Sequence, residues 1–147
     1  MEIRIKKLSE WAIIPQKMSD GAAAYDLFLP EDTYIRSGRQ VVGLGFAMEI
    51  PQGYAAEIQP RSGFASKGIP DKDWERMDAD VLYGLIDSDY RGEVGVIINS
   101  NEQYNFSVPA GLRIAQMIIR KVEDVEFSEF ESLSETKRGK GGFGSTN

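Results

Sequence analysis

The sequence predicts an all-β fold of the sandwich or jelly-roll kind. The chain has 147 residues, enough for one domain with a hydrophobic core, and 15 of them are glycine. Its apolar segments are short and separated by turn signals, and no window shows a sustained helical period. Many short strands at this spacing are typical of β-sandwiches and jelly rolls.

Short strands are predicted in succession through the first sixty residues. Residues 2–8 alternate, with Ile3 and Ile5 on one face and Arg4 and Lys6 on the other, as in a half-buried strand. Turns that contain glycine or proline separate the segments that follow. Further strands are predicted at residues 22–29, 31–35, 40–50 and 54–59.

The next segment combines the start of a helix with an arginine. Pro60 ends the preceding strand, and Ser62 is placed to cap a one-turn helix that Gly68 terminates. A helix N-terminus beside a basic residue, here Arg61, is a suitable phosphate site. A plain helix cap with a solvated arginine fits the same residues.

Residues 84–99 are predicted to form a β-hairpin with a polar tip. An apolar pair leads into a tip at 87–92, which ends in glycine, and β-branched residues follow at 94–98. The chain has no histidine and no cysteine, so hydrolytic chemistry would depend on a carboxylate or a metal. Asp87 directly follows the apolar pair, where a rigid strand end can hold it partly desolvated as a general base. A hairpin tip without chemistry is the alternative.

Two more strands are predicted at residues 103–108 and 112–122. Gln116 is a polar residue inside the second of them, and a buried amide needs hydrogen-bond partners, which neighbouring backbone can supply. Residues 123–135 then carry six acidic residues and no basic one. Both a solvated edge strand and a segment that crosses to another subunit fit this composition.

The last eleven residues, 137–147, are basic and rich in glycine, and no acidic residue follows Glu135. A flexible tail is expected in the free protein. The glycines match a dinucleotide-binding fingerprint in spacing, but no helix can follow, so that fold is rejected. A basic glycine-rich tail can instead wrap a triphosphate, because successive N–H groups converge on the oxygens.

Composition excludes several other classes. The net charge is −6 and the isoelectric point about 4.8, which argues against nonspecific binding of nucleic acid. No apolar run approaches the length of a membrane span, and no signal peptide opens the sequence, so a cytoplasmic protein without a membrane partner is expected. The absence of cysteine rules out disulfides.

Five segments resemble, in order, the motifs of the trimeric dUTP pyrophosphatase (dUTPase) family. These segments are residues 24–27, 60–65, 84–99, 111–118 and 138–146. The resemblance implies a β-clip jelly-roll barrel with one short helix and a flexible C-terminal arm. It also implies a homotrimer with shared active sites, in which residues 1–136 form the domain, 123–136 cross to a neighbour and 137–147 form the arm.

The family resemblance implies hydrolysis of dUTP to dUMP and pyrophosphate with Mg²⁺, which clears dUTP from the nucleotide pool and supplies dUMP for thymidylate synthesis. Asp87 is implied to activate the water that attacks the α-phosphorus. Asp26 is implied to help hold, through water, the region around the hydrated Mg²⁺. The implied substrate contacts are Arg61, Ser62, Gly63, Gly84, Leu85, Ile86, Tyr90, Gly95, Gln116, Arg138, Gly142, Phe143, Gly144, Ser145 and Thr146.

Specific roles follow for some of these residues. The resemblance places Tyr90 under the deoxyribose, where it leaves no room for a 2′-hydroxyl. Backbone near Gly84, Leu85 and Gly95 is implied to read the uracil edge. In the arm, Arg138 is implied to clamp the γ-phosphate and Phe143 to stack over the base.

The chain departs from the family pattern at three places. Residues 70–83 form a longer, more charged segment, predicted as an extended loop in which Trp74 packs down or contacts a partner. Val81 stands where an asparagine is usual, and Leu112 stands where an acid often pairs with an arginine. The long segment keeps open a regulatory, protein-binding role on a dUTPase scaffold. A dCTP deaminase is a more distant alternative, because that family carries a glutamate in the strand at 95–99.

Overall fold

The computed structural model describes residues 1–144, and these residues form short strands and one short helix. The strands are β1 (Arg4–Lys7), β2 (Tyr25–Phe28), β3 (Thr33–Ile35), β4 (Gly38–Gly43), β5 (Phe46–Glu49), β6 (Tyr54–Gln59), β7 (Ile69–Pro70), β8 (Arg76–Met77), β9 (Ala79–Leu82), β10 (Gly84–Ile86), β11 (Gly95–Ser100), β12 (Phe106–Val108) and β13 (Arg113–Lys121), and the helix is α1 (Ser62–Lys67). The all-β prediction with one short helix is confirmed.

Two larger sheets and three strand pairs build the barrel. One sheet has the order β10-β6-β13-β2 and the other the order β4-β11-β9. The strands β1 and β5, β3 and β12, and β7 and β8 form the pairs, and every pairing is antiparallel. Neighbouring strands in the sheets are far apart in sequence, so the fold rests on long-range pairing.

The core lies between these sheets and is made by alternation. In β11, for example, Val96 and Ile98 are fully buried while Gly95, Ile97 and Asn99 are half-exposed. Leu27, Ile58 and Ile114 bring the other sheet into the same cluster. Burial of aliphatic side chains from both sheets holds the barrel together.

Two strand predictions need correction. The predicted strand at 40–50 is two strands, because the chain turns at Gly45, whose φ is +73°. The predicted loop at 70–83 is instead the β7–β8 hairpin followed by β9, which pairs with β11 through residues 79–82. Long-range pairing, which local composition does not encode, decides both outcomes.

The predicted hairpin at 84–99 is not a paired hairpin. β10 pairs with β6, whereas β11 pairs with β4 and β9, so the two arms of the predicted hairpin belong to different sheets. The helix start also differs from the prediction, since Arg61 rather than Ser62 is the N-cap and no side chain caps the helix. Gly68 does end it, with φ +81° and an N–H bond to the Phe64 carbonyl at 2.8 Å.

Beyond β13 the described chain leaves the barrel. Residues 123–140 are all exposed, and the exposed fractions of Phe127, Phe130 and Leu133 are 93%, 76% and 89%. Large apolar side chains this exposed are incompletely partnered in the single chain. Among residues 1–144 no helix has the length and apolarity needed to cross a membrane.

Candidate active site

A cleft opens where β10 and β11 separate into different sheets. Its volume is about 260 Å³. Its lining residues are Val41, Ile58, Gly84, Leu85, Ile86, Asp87, Tyr90, Glu93, Val94, Gly95 and Ile97. We call this space the β10–β11 cleft. It brings together six of the predicted site residues: Gly84, Leu85, Ile86, Asp87, Tyr90 and Gly95.

Asp87 lies at the end of β10, lines this cleft and is exposed in the single chain. The expectation that a strand end would partly desolvate it is therefore wrong for one subunit alone. Its backbone is fixed by a turn in which the Tyr90 N–H donates to the Asp87 carbonyl at 3.2 Å. The carboxylate is consequently held on a defined backbone and is open to a ligand in the cleft.

Glu93 orders the far side of the cleft, although sequence reasoning did not single it out. Its carboxylate accepts the N–H of Gly45 at 2.8 Å, and its carbonyl accepts the hydroxyl of Tyr90 at 3.0 Å. A Cβ at Gly43 would collide with the same carboxylate. Glu93 thus ties the Tyr90 ring to the β4–β5 turn. The only signal in the sequence was the spacing of Gly43 and Gly45, which becomes meaningful once this contact is known.

A second cluster of predicted site residues surrounds Asp26. The Asp26 carboxylate accepts a hydrogen bond from Arg113 at 3.0 Å and lies 3.7 Å from Nε of Arg61. Only 12% of its side chain is exposed. Arg61 also donates to the Arg113 carbonyl at 3.3 Å. Asp26 therefore orients two guanidinium groups, and its implied role near a hydrated metal stays a prediction.

The environment of Arg61 is unusual for an arginine. Burial lowers the pKa of the Arg61 guanidinium below its ordinary value, and the nearby charge of Arg113 lowers this pKa further, whereas Asp26 raises it. An arginine remains charged in proteins even so. Two cations held side by side around one buried carboxylate leave an excess positive charge, which suits an anionic ligand.

Gln116 connects this cluster to the helix start. It lies on β13 between Asp26 of β2 and Gln59 of β6, and its Nε2 donates to the Pro60 carbonyl at 3.1 Å. The expected backbone partner is therefore present. Ser62 and Gly63, at the start of α1, are exposed and follow Pro60 by two and three residues. The structure thus brings Arg61, Ser62, Gly63 and Gln116 into one region.

The two clusters do not meet within one chain. β10 pairs with β6 so that Gly84 lies opposite Ile58 and Ile86 opposite Ala56. Asp87 therefore continues toward the Tyr54 end of β6, whereas Arg61 follows its other end. Six residues of strand, at about 3.3 Å per residue, separate the levels of Asp87 and Arg61 by about 20 Å.

The arm lies apart from both clusters in the described chain. Arg138 is exposed and donates to the Gly141 carbonyl at 2.8 Å, inside the arm itself. Phe143 is fully exposed and has a φ of +50°. Gly142 and Gly144 flank it, and the predicted contacts Ser145 and Thr146 lie outside the described residues.

Comparison with known proteins identifies the family of this chain. A family model described as dUTPase matches residues 10–147. The deoxyuridine 5′-triphosphate nucleotidohydrolase of Clostridium tetani is 42% identical over 147 residues, which cover 98% of this chain and 95% of the relative. The chain belongs to the dUTPase family. The corresponding protein of Nautilia profundicola is 44% identical over 150 residues, covering 99% of each chain.

Solved dUTPase structures share the fold. The dUTPase of Staphylococcus bacteriophage 80alpha, solved with dUpNHpp, matches with a TM-score of 0.84 and 26% identity, over 99% of this chain and 98% of that one. A variant of the same phage dUTPase with dUpNHpp matches with a TM-score of 0.81 and 25% identity, over 98% and 97% of the two chains.

The family departures now have structural positions. Val81 is buried in the core, pairs with Ile98 and is not among the residues that line the β10–β11 cleft. Leu112 packs against the core, while the neighbouring Arg113 pairs with Asp26 instead of an acid at position 112. In this dUTPase chain the β10–β11 cleft is therefore built without a side chain from position 81.

Proposed function

We propose that this chain hydrolyses dUTP to dUMP and pyrophosphate, with Asp87 activating the attacking water. The observation that carries the proposal is an exposed carboxylate on a fixed turn, at a cleft of about 260 Å³, in a chain without histidine or cysteine. A carboxylate within reach of a water is a competent general base. Membership of the dUTPase family supports the same reaction.

The cleft walls suit the recognition of a base by the backbone. β10 is an edge strand of its sheet, so the N–H and C=O groups on its open edge have no strand partner within the described chain. Residues 95 and 96 of β11 likewise pair only with β4, whereas β9 starts its pairing at Ile97. Uracil can hydrogen-bond with such edges as an added strand does, while cytosine presents the reversed donor and acceptor pattern.

Sugar selectivity is assigned to Tyr90. The bond from its hydroxyl to the Glu93 carbonyl fixes the ring at the cleft. A fixed ring can pack against an unsubstituted C2′ and obstruct a 2′-hydroxyl, which would also lose its water on burial.

The direct test is pyrophosphate release from dUTP with Mg²⁺, with dCTP, dTTP and UTP measured in parallel. Release from dUTP alone is expected, because the backbone edges reject cytosine, the cleft walls reject the thymine methyl and Tyr90 rejects the ribose. Comparable release from dCTP would contradict base recognition by these edges. Release from UTP would contradict the role of Tyr90.

A substitution at Gly95 tests the cleft itself. A Cβ at Gly95 would lie 2.6 Å from Cγ1 of Val41 and 3.3 Å from the Val42 carbonyl oxygen. Gly95→Ala should therefore displace the Val41 wall and raise KM for dUTP by about tenfold, the equivalent of about 1.4 kcal/mol. KM is measured by initial rates of pyrophosphate release.

The matched control removes the obstacle instead. Val41→Ala in the Gly95→Ala chain should recover most of the lost affinity, since the new methyl then fills space that valine had occupied. Equal KM values in the single and double variants would show that the Gly95 site does not act through Val41.

The metal is proposed to arrive with the substrate. No group of three or more acidic residues that could hold an ion occurs among residues 1–144, and both oxygens of Asp26 face arginines. Mg²⁺ commonly binds through substrate phosphates, waters and one or two carboxylates, so the lone Asp87 fits such a site. When bound, Mg²⁺ neutralises charge that develops on the phosphates.

We propose a homotrimer in which each active site draws on different subunits. Adjacent phosphates of one nucleotide lie far closer than the roughly 20 Å that separates Asp87 from Arg61 along β6. If Asp87 acts at the α-phosphate and Arg61, Ser62, Gly63 and Gln116 hold the phosphates, these groups must come from different chains. Closed symmetric oligomers bring opposite ends of one subunit against each other in this way.

The acidic segment, residues 123–135, is proposed to connect one subunit to the next. β1 pairs only with β5 in the described chain, and it carries Arg4, Lys6 and Lys7. Beside it lies an apolar groove of about 380 Å³ whose lining includes Ile3, Ile5, Ile14, Met117 and Ile119. Residues 123–135 of another subunit offer complementary acids and the exposed Phe127, Phe130 and Leu133.

The arm is proposed to close this shared site. Arg138 would hold the γ-phosphate and Phe143 would cover the base, with Gly142, Gly144, Ser145 and Thr146 supplying further contacts. The exposed positions of Arg138 and Phe143 leave both free to reach another subunit. The division into a domain of residues 1–136 and an arm, and the cytoplasmic location, stay predictions.

A further inference from the structure

The β7–β8 hairpin presents a tryptophan on a braced turn. The Asp71 carboxylate accepts the N–H groups of Asp73 and Glu75, each at 2.9 Å, and the Trp74 N–H donates to the Asp71 carbonyl at 3.1 Å. Trp74 itself has a φ of +67°, a conformation that bulky residues rarely adopt, and 67% of it is exposed. A large aromatic held outward at a conformational cost is typical of a contact residue.

This hairpin adjoins the proposed phosphate-binding residues. Trp74 lines a groove of about 400 Å³ together with Arg61, Phe64, Arg76, Leu112 and Arg113, which we call the arginine groove. The Phe64 ring lies 5.3 Å from the Arg61 guanidinium and 5.8 Å from that of Arg76. Trp74 therefore forms one wall of the groove that contains Arg61, a proposed phosphate ligand, and Arg113.

We propose that Trp74 and the neighbouring acids of the hairpin tip dock the C-terminal arm of a second copy of this chain over bound triphosphate. The inference rests on the proposed function, because it requires the arm to close over the phosphates. It gives the β7–β8 hairpin a role in docking the arm, which is separate from the role of Asp87 in catalysis.

The acidic residues of the hairpin tip complement the basic residues of the arm, which favours the arm as the segment that docks there. Asp73 and Glu75 flank Trp74 at the tip, although Lys72 pairs with Asp73 at 3.1 Å. The arm carries Lys137, Arg138 and Lys140 without an acid, together with the fully exposed Phe143. Basic side chains can pair with the tip carboxylates and lie against the Trp74 ring.

The same charges make the docking depend on nucleotide. The arginine groove carries Arg61, Arg76 and Arg113 and repels a basic arm while it is empty. A triphosphate between the two reverses this repulsion, since its negative charges attract both sides. Trp74 should therefore contact the arm only in the nucleotide-bound state.

Tryptophan fluorescence tests this contact directly. The chain has two tryptophans, Trp11 and Trp74, so Trp11→Phe leaves Trp74 as the sole reporter. Saturating dUpNHpp should shift Trp74 emission in the full-length Trp11→Phe chain. In the same chain ending at residue 136 the shift should be absent, with saturation verified by calorimetry. The described part of the removed segment, residues 137–144, contains no strand of the barrel.

The results of this fluorescence experiment distinguish the arm from the nucleotide and from a foreign protein as the group that contacts Trp74. A shift that persists without the arm means that the nucleotide touches Trp74 directly, and this overturns the proposal. No shift in the full-length chain, with dUpNHpp bound, also overturns it and leaves the hairpin to a foreign protein partner.

A kinetic variant gives a second readout. Trp74→Ala should raise KM for dUTP about fivefold through weaker arm closure, which corresponds to about 1 kcal/mol, and Trp11→Phe should leave KM unchanged. An unchanged KM in Trp74→Ala contradicts the docking role. Absence of dUTP hydrolysis in the unaltered protein would instead be a failure of the proposed function.

Discussion

Asp87→Asn is expected to reduce kcat for dUTP by about 10² to 10⁴-fold while nucleotide binding persists. The amide occupies nearly the same volume as the carboxylate but cannot accept a proton from the attacking water. No histidine or cysteine exists in the chain to substitute for it. Pyrophosphate release measures kcat, and titration with dUpNHpp measures binding to the same variant.

The chain offers a matched control two residues away. Asp89 is also an exposed carboxylate of the same turn, but it is not among the residues that line the β10–β11 cleft. Asp89→Asn changes the net charge by the same amount and should leave kcat within about twofold, as expected for a surface substitution. Near-normal turnover in Asp87→Asn, or an equal loss in Asp89→Asn, would remove Asp87 from the role of general base.

Mixing two inactive variants is expected to restore activity. Asp87→Asn and Arg61→Ala should each be inactive alone, because every site then lacks one essential group. In trimers assembled from equal amounts of both, a site with Asp87 from one chain and Arg61 from another is intact with a probability of one half times one half. About one quarter of wild-type activity should therefore appear, if subunits assemble at random.

The experiment requires co-expression or joint refolding, so that subunits exchange, and size-exclusion chromatography to establish that mixed trimers form. Separately assembled trimers combined without exchange serve as the control and should stay inactive. Mixed trimers that remain inactive would mean that Asp87 and Arg61 serve one site from the same chain. That result would also contradict the separation of about 20 Å inferred from the register of β6 and β10.

Local sequence signals were sufficient for much of the fold. The predicted strand at 54–59 coincides with β6, and the strand predicted at 112–122 is β13 with one residue fewer at each end. These segments carry alternating or continuous apolar residues between turn signals, and that pattern depends only on neighbours in the sequence. Gly68 ends the helix as predicted, because the backbone at that position has a positive φ, which glycine adopts more easily than other residues.

These local signals did not predict which strands pair with each other. The polar tip at 87–92 resembles a hairpin turn, yet β10 and β11 join different sheets and leave a cleft between them. Which strand a segment pairs with depends on residues far away in the chain. The same applies to residues 70–83, whose charge suggested a loop although they contain the second residue of β7 and the whole of β8 and β9.

The sequence by itself determined the fold class, the chemistry available for hydrolysis and the resemblance to dUTPases, because residue types and their order are properties of the chain alone. The tertiary structure decided that Asp26 holds Arg61 and Arg113, that Glu93 fixes Tyr90, and that Asp87 lies far from Arg61 in the single chain. These relations join residues distant in sequence, so only the register of the sheets could establish them.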